Sequence, residues 1–227
     1  MHNLPLLLGH RGSRTRGCRE NTIPAFETAV KHGCDGFEFD VRLTSDDHAI
    51  VCHGASSRGR RLAKSAAARL PNLPLLRDVV ARFARRAFLN IELKVTGLEQ
   101  HILSVLNEFP PECGYVVSSF LSDVLLEMRA RSEAVPLGLI FQKKIPRWQE
   151  VLVDYIVPHY SLVTPKLVQQ VHDAGKHIIA WTVNDKRSML RLAEWGVDGI
   201  ISDKTDLLVR TLRAQNPADS PVKDPIA

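Results

Sequence analysis

Short apolar runs alternate with amphipathic segments along most of the chain. The first run, Leu4 to Leu8, is uninterrupted, which is typical of a strand buried on both faces. Segments with helical spacing of apolar residues follow these runs, and glycines such as Gly33 and Gly196 stand where such helices would end. Eight runs precede a helical segment, and the predicted strands begin at Leu4, Asp35, Ala87, Gly114, Pro136, Tyr155, His177 and Val197.

This alternation predicts the fold class. Strand and helix alternate eight times, which favours an α/β fold, a single TIM-like (β/α)8 barrel, over an open doubly wound sheet. We expect the barrel domain to cover residues 1–213 and the proline-containing residues 214–227 to form a disordered tail. Ala49 to Cys52 is predicted to continue the second strand or to pair with it as a hairpin. Residues 54–74 are predicted to form an elaborated loop with room for one short helix.

Charged residues alternate with apolar ones in two of the predicted strands. Successive side chains of a strand alternate faces, so Glu38 and Asp40 point the same way, roughly 6.5–7 Å apart. Glu92 and Lys94 repeat the pattern in the next barrel strand, and His10 follows the first strand. Active sites of such barrels gather at the C-terminal ends of the strands, where all five residues are predicted to converge.

Three carboxylates at one end of a barrel predict a bound cation. Carboxylates so close together repel each other unless a cation lies between them. Their hard oxygen ligands suit Mg²⁺ or Ca²⁺ and argue against zinc or copper. We therefore expect Glu38, Asp40 and Glu92 to hold one divalent cation. The alternatives are an acidic strand face in water and a salt-bridged core.

Two histidines and two fixed cations indicate the chemistry. His10 and His53 are candidates for a base and acid pair, because imidazole exchanges protons near neutral pH. Arg11 and Lys94 place positive charge beside the predicted metal, which favours an anionic substrate with phosphoryl oxygens. The inferred reaction is hydrolysis of a phosphate ester, and a diester suits two proton-transfer groups best.

Several short motifs follow one another in order from near the N-terminus to about Leu208. They are Gly9-His10-Arg11-Gly12, Glu20-Asn21-Thr22, Glu38-Phe39-Asp40, Val51-Cys52-His53, Glu92-Leu93-Lys94, Trp181-Thr182-Val183-Asn184-Asp185 and Gly196-Val197-Asp198-Gly199-Ile200-Ile201-Ser202-Asp203. Together they resemble the glycerophosphodiester phosphodiesterase family. The resemblance implies a TIM-like barrel and metal-dependent cleavage of glycerophosphodiesters, which are small molecules, to glycerol 3-phosphate and an alcohol.

The resemblance also implies roles for single residues. It makes His10 and His53 the acid and base pair and gives the metal to Glu38, Asp40 and Glu92. Substrate binding is expected from Arg11 and Lys94, which would hold the phosphate, and from Trp181 and Phe120, which would wall the mouth. Core packing is the alternative for the two aromatic residues, and Glu20 would either contact the ligand or brace the first loop. Attack by the neighbouring glycerol hydroxyl and direct attack by water both stay open.

Two departures from the family pattern bear on function. The family usually has Asp after the second histidine, where this chain has Gly54, so the orientation or basicity of His53 is open. The segment that follows is short and basic. We hypothesise that its cations favour a more anionic headgroup or a polymer of glycerophosphate.

Charge and composition add the cellular setting. Apolar residues make up 44% of the chain and charged residues 24%, as in a soluble globular protein. The stretch from Arg58 to Arg86 contains nine basic residues and only one acid, Asp78. Such a stretch fits acidic partners or a solvated basic surface. The four cysteines form no CxxC pair, no basic leader opens the chain, and no run reaches membrane-spanning length. These features predict a cytoplasmic protein without membrane insertion and leave its oligomeric state open.

Two other functions remain as alternatives. A related barrel phospholipase that acts on lysophospholipids or sphingomyelin would need an apolar groove for its substrate. A catalytically weak barrel that binds acidic polymers would need basic and aromatic residues interleaved, and the basic stretch contains only Phe83. We therefore expect no nucleic-acid partner.

Overall fold

Eight parallel strands close into a barrel in the computed structural model of the protein, which describes residues 4–14, 18–57 and 59–213. The strands of the chain are β1 (Leu6–His10), β2 (Gly36–Leu43), β3 (Ala49–Val51), β4 (Ser56–Ser57), β5 (Arg60–Arg61), β6 (Phe88–Leu93), β7 (Tyr115–Ser119), β8 (Leu137–Phe141), β9 (Tyr155–Pro158), β10 (His177–Ala180) and β11 (Gly199–Ser202). Strand β1 pairs with both β2 and β11, which closes the barrel. The predicted TIM-like barrel is confirmed, and the predicted tail, 214–227, lies outside the described residues.

Seven α-helices surround the barrel within the described residues: α1 (Ile23–Lys31), α2 (Leu76–Phe83), α3 (Glu99–Glu108), α4 (Ser122–Arg131), α5 (Pro165–Asp173), α6 (Lys186–Glu194) and α7 (Thr205–Leu212). Side chains of Thr22, Thr164 and Asp185 cap three of them by accepting backbone N–H bonds. The connection between β8 and β9 contains only a single 3₁₀ turn, Trp148–Glu150. Val151 is already extended, and the buried Trp148 holds this connection against the barrel.

The segment after β2 is a hairpin followed by a long loop. Strand β3 pairs antiparallel with β2, with Val51 opposite Val41, so the hairpin alternative holds for the predicted extended piece. The loop that follows contains the short β4–β5 pair and two 3₁₀ turns. It is anchored by a small core in which Ile50 and Cys52 pack with Leu62 and Leu70.

Strand alternation divides the apolar residues between two cores. The larger core lies between the barrel and the helices and includes Phe37 and Phe39, whereas Leu8, Phe88, Val116, Ile140, Val157, Ile179 and Ile201 fill the interior of the barrel. Glycine at position 36 lets β2 approach β6 closely, since a Cβ there would lie 1.9 Å from the Phe88 carbonyl oxygen. That close approach fixes a register in which Asp40 lies opposite Glu92.

No helix in the described part of the chain is long and apolar enough to cross a membrane. The cytoplasmic location predicted from the sequence stays a prediction.

The cysteines give a prediction about thiol reactivity. Burial, with a contribution from neighbouring Asp35, raises the pKa of the Cys34 thiol to about 12, whereas Cys113 is exposed. Because the thiolate is the reactive form, we expect a disulfide reagent at pH 8 to label Cys34 at least about a hundredfold more slowly than Cys113. Peptide mapping after timed labelling checks this, with denatured protein as the control. Equal rates in the native protein would contradict it.

Candidate active site

The interior face of the barrel continues directly into a cluster of charged residues at its C-terminal mouth. On β1, His10 is two residues beyond the interior Leu8, and on β6, Asn90 and Glu92 follow Phe88 with the same spacing. The inward-pointing side chains therefore change from apolar at the bottom of the barrel to polar or ionisable at the top.

Three carboxylates form the centre of this cluster. One oxygen each of Glu38, Asp40 and Glu92 lies within 4.8 Å of the other two, and all three residues are buried. Glu38 Oε1 and Asp40 Oδ1 accept no hydrogen bond among the described residues, although Lys94 Nζ lies 3.3 Å from the latter. Buried carboxylate oxygens without donors fit a hard divalent cation, so this donor set is compatible with Mg²⁺ or Ca²⁺.

The three carboxylates differ in their electrostatic surroundings. Burial and the charge of Asp40 raise the pKa of Glu38 well above its ordinary value and that of Glu92 to about 7. Burial also opposes ionisation of Asp40, but the charges of Arg11 and Lys94 and the Asn21 amide lower its pKa overall. Asp40 is thus the most strongly ionised of the three, and a cation at this site would lower the pKa of its two neighbours.

The loop after β1 wraps around these carboxylates. Arg11 and Asn21 both have left-handed backbones, with φ of 55° and 56°, a conformation that costs about 1–3 kcal/mol in non-glycine residues. The Arg11 amide donates to Glu38 Oε2 at 3.0 Å, and its Nε lies 3.2 Å from Asp40 Oδ2. Glu20 accepts from Arg11 Nη1 at 3.0 Å, which favours the bracing role for Glu20.

His10 is oriented by a carboxylate that our sequence analysis did not select. Its Nδ1 lies 2.8 Å from Asp203 Oδ1, and Asn184 donates to Asp203 Oδ2 at 2.7 Å. Burial opposes ionisation of Asp203, but the hydrogen bonds from His10 and Asn184 hold its pKa well below the usual range. An ionised carboxylate only accepts, so Nδ1 carries the proton and His10 Nε2, 3.9 Å from Glu38 Oε2, keeps the free lone pair.

His53 is held differently. Its side chain is exposed and makes no hydrogen bond within the described part of the chain, while its carbonyl oxygen accepts from Arg42 Nε at 2.9 Å. Burial of part of the ring, together with the charges of Arg11 and Lys94, lowers the pKa of His53. Gly54 has no side chain to pair with the ring, and its carbonyl oxygen accepts a weak bond from the Cys52 thiol at 3.6 Å.

One cavity of about 290 Å³ joins nearly all of the predicted site residues. Asp40 is fully buried and does not line it. Trp181 and Phe120 pack edge to face, with ring centroids 5.6 Å apart, and Lys94 Nζ lies 5.6 Å from the Phe120 ring centroid. The cavity is lined by His10, Arg11, Glu38, His53, Asn90, Glu92, Lys94, Phe120, Ile140, Gln142, Val157, Trp181 and Ile201.

Two polar residues in the cavity were missed by sequence reasoning. Asn90 accepts from the Ser118 hydroxyl at 2.6 Å, and its own buried amide nitrogen has no partner among the described residues. Gln142 follows the end of β8 on the inward face. The same two-residue spacing that selected Glu92 would have found Asn90, since it lies between Phe88 and Glu92 on β6.

A second, more open groove adjoins this cavity. It measures about 390 Å³ and shares Phe120, Ile140 and Gln142 with the first cavity. Its other lining residues are mostly apolar, with two lysines beside them: Ser122, Leu139, Phe141, Lys143, Lys144, Pro146 and Val151. An apolar groove of the kind that the phospholipase alternative requires is therefore present.

Fold and site together define an α/β-barrel enzyme with ionisable groups at its C-terminal mouth. A model of the "Glycerophosphoryl diester phosphodiesterase family" matches residues 10–75 and 60–207. The chain belongs to this family. The family and the enzyme class predicted from the sequence, a phosphoric diester hydrolase, are confirmed.

Relatives and solved structures agree with this assignment. A glycerophosphodiester phosphodiesterase from Caldanaerobacter subterraneus subsp. tengcongensis is 28% identical over 92% of this chain and 98% of its own length. A phosphodiesterase from Oleispira antarctica, solved in complex with the product sn-glycerol-3-phosphate, is 24% identical, with a TM-score of 0.82 over 92% of this chain and 96% of that one. A glycerophosphodiester phosphodiesterase from Parabacteroides distasonis is 22% identical, with a TM-score of 0.85 over 95% and 99%.

Proposed function

We propose that the protein hydrolyses glycerophosphodiesters to glycerol 3-phosphate and an alcohol, with one divalent cation, Mg²⁺ or Ca²⁺. The observation that carries the proposal is the buried group of Glu38, Asp40 and Glu92, whose oxygens cluster within 4.8 Å of one another. Glu38 and Glu92 line one cavity together with His10 and His53. The Oleispira antarctica structure, whose bound product is glycerol 3-phosphate, supports the same substrate class.

The charged groups divide between binding and charge stabilisation. A bound divalent ion would supply Lewis-acid polarisation of a phosphoryl oxygen, worth several kcal/mol in the transition state. Arg11 and Lys94 border the cavity and would hold the remaining phosphoryl oxygens. The Arg11 and Lys94 side chains also contact Asp40, which fixes their positions before substrate arrives.

Proton transfer falls to His10 and His53. The free Nε2 of His10 is suited to accept the proton of the attacking glycerol hydroxyl or water, because Asp203 stabilises the imidazolium that results. His53 lines the same cavity and would donate a proton to the departing alkoxide.

A substrate assay tests the proposal. With glycerophosphocholine, we expect release of glycerol 3-phosphate in the presence of Mg²⁺ or Ca²⁺, and at least about a hundredfold less after chelation, because the carboxylates alone repel the phosphate. Restoring the ion after chelation is the control for irreversible damage. No metal-dependent release from any of a panel of glycerophosphodiesters would overturn the proposal.

The apolar groove supports a second candidate function, cleavage of a phosphodiester that carries one long acyl chain. Its continuity with the cavity through Phe120, Ile140 and Gln142 would let such a chain lie outside the barrel while its phosphate reaches the carboxylates. A parallel assay of choline release, which glycerophosphocholine and a short-chain lysophosphatidylcholine kept monomeric have in common, distinguishes the two functions. A higher kcat/KM for this substrate than for glycerophosphocholine would favour the second.

A further inference from the structure

The basic stretch identified in the sequence divides into two parts. The four arginines on and directly after α2 pair with glutamates of neighbouring helices or loops. These pairs are Arg77 with Glu108, Arg82 with Glu27, Arg85 with Glu112, and Arg86 with Glu27. Such exposed pairs account for this half of the positive charge as ordinary surface structure.

The described cations of the other part lie on the loop after β3 and form no salt bridge with any described residue. Arg60, Arg61, Lys64 and Arg69 are exposed, and none has a carboxylate within 4.0 Å among residues 4–14, 18–57 and 59–213. Asp46, on the adjoining β2–β3 turn, accepts hydrogen bonds from the Thr44 hydroxyl and the Ala67 amide instead. We call these four residues the loop cations.

Strand alternation places this loop over the mouth of the barrel. Along β2, Arg42 points to the same face as Glu38 and Asp40. Arg42 lies opposite Ile50 in the antiparallel pair, and opposed residues share a face. Ile50 in turn packs with Leu62 and Leu70 of the loop. The loop therefore covers the face of the β2–β3 hairpin to which Glu38 and Asp40 also point.

A cavity of about 300 Å³ lies among the loop cations. Arg60 and Arg69 line it, together with Ser57 and residues 70–73. Arg60 Nη1 donates to the Arg69 carbonyl oxygen at 2.9 Å, which ties the two arginines together. The Ser57 hydroxyl also accepts a hydrogen bond from Arg19 Nη2 at 3.5 Å. Because Ser57 is only four residues from His53, the cavity begins within about 14 Å of that histidine.

We propose that this cavity is an anion subsite for the alcohol half of the substrate. The inference rests on the proposed function and narrows it. The preferred substrates are glycerophosphodiesters whose alcohol carries its own phosphate group, since the positive charges of Arg60 and Arg69 line one cavity without a carboxylate partner in the described structure and would attract that phosphate. A single-stranded nucleic acid is the less suitable ligand, because residues 54–74 contain no aromatic side chain for base stacking.

The test uses two substrates that differ only by one phosphate, glycerophosphoinositol and glycerophosphoinositol 4-phosphate. The wild-type protein is expected to show a kcat/KM about tenfold higher for the 4-phosphate, as a charge-assisted contact gives. The double variant Arg60→Gln/Arg69→Gln should reduce this ratio to about one. It should retain the wild-type rate on glycerophosphoinositol within about twofold, because neither arginine lines the carboxylate cavity.

Two further variants make the experiment specific. Arg77→Gln/Arg85→Gln removes the same charge from paired positions on the same basic stretch and should leave the ratio unchanged. Arg60→Lys/Arg69→Lys keeps the charge and should preserve most of the ratio, which separates charge from folding defects. Arg42 is left intact because it holds the His53 carbonyl.

Each outcome has a distinct meaning. A wild-type ratio near one, or a ratio that Arg60→Gln/Arg69→Gln does not change, would overturn the subsite while leaving the proposed function standing. Loss of single-stranded DNA binding in that variant with an unchanged ratio would instead assign the loop cations to a polymer. Hydrolysis of neither diester in the presence of Mg²⁺ or Ca²⁺ would overturn the proposed function and the subsite with it.

Discussion

A Glu38→Gln variant is expected to fold but to lose at least about 10³-fold in kcat/KM, the equivalent of about 4 kcal/mol of transition-state stabilisation. Glu38 lines the cavity and its Oε1 is buried without a hydrogen-bond donor in the described structure. Glutamine keeps the shape of the side chain but replaces an anionic oxygen with an amide. A hard divalent cation would therefore be bound more weakly and held less rigidly.

Thermal unfolding separates this explanation from misfolding. Without added metal, Glu38→Gln is expected to raise Tm by a few degrees, because it removes one of three clustered buried carboxylates. Adding Mg²⁺ or Ca²⁺ should raise the Tm of the wild-type protein and should raise that of the variant much less. Glu99→Gln, at a buried carboxylate on α3 outside the site, is the matched control. An equal metal-induced shift in wild type and Glu38→Gln would refute the assignment of Glu38 as a ligand.

Loss of the His10 imidazole is expected to lower kcat by about 10²–10⁴-fold, the usual contribution of a general acid or base. Asp203→Asn should lower kcat by about 10–100-fold, as loss of an orienting carboxylate does. Asparagine can present its NH₂ group to His10 Nδ1, which would move the ring proton to Nε2 and remove the lone pair from the cavity. Asp203 is therefore a positioning residue that acts through His10.

Steady-state kinetics distinguish positioning from general damage. Asp203→Asn should change kcat with little effect on KM, and Asp203→Glu should recover part of the loss. Asp206→Asn serves as the control, because Asp206 is exposed on α7 and pairs with Arg210. If His10→Ala kept the wild-type rate while remaining folded, the proton-transfer assignment would be wrong.

Much of this molecule follows from local sequence patterns. Alternation along a strand is a property of the extended backbone, so the shared face of Glu38 and Asp40, and the opposite face of Phe37 and Phe39, could be read directly. The barrel followed from the repeated order of strand and helix. The residues of the predicted site other than Asp40 line one cavity, and Asp40 clusters with Glu38 and Glu92, because parallel strands present their C-terminal ends on one side.

Contacts between distant segments decided the rest. Asp203 is 193 residues from His10 in the chain, and the two meet only because β11 pairs with β1 when the barrel closes. The charges of the basic stretch look alike in sequence, yet α2 packs its arginines beside glutamates whereas the loop after β3 leaves its cations without partners in the described structure. Periodicity fixes which way a side chain points, but only the packing of separate elements fixes what it meets there, and that determines its charge environment and its role.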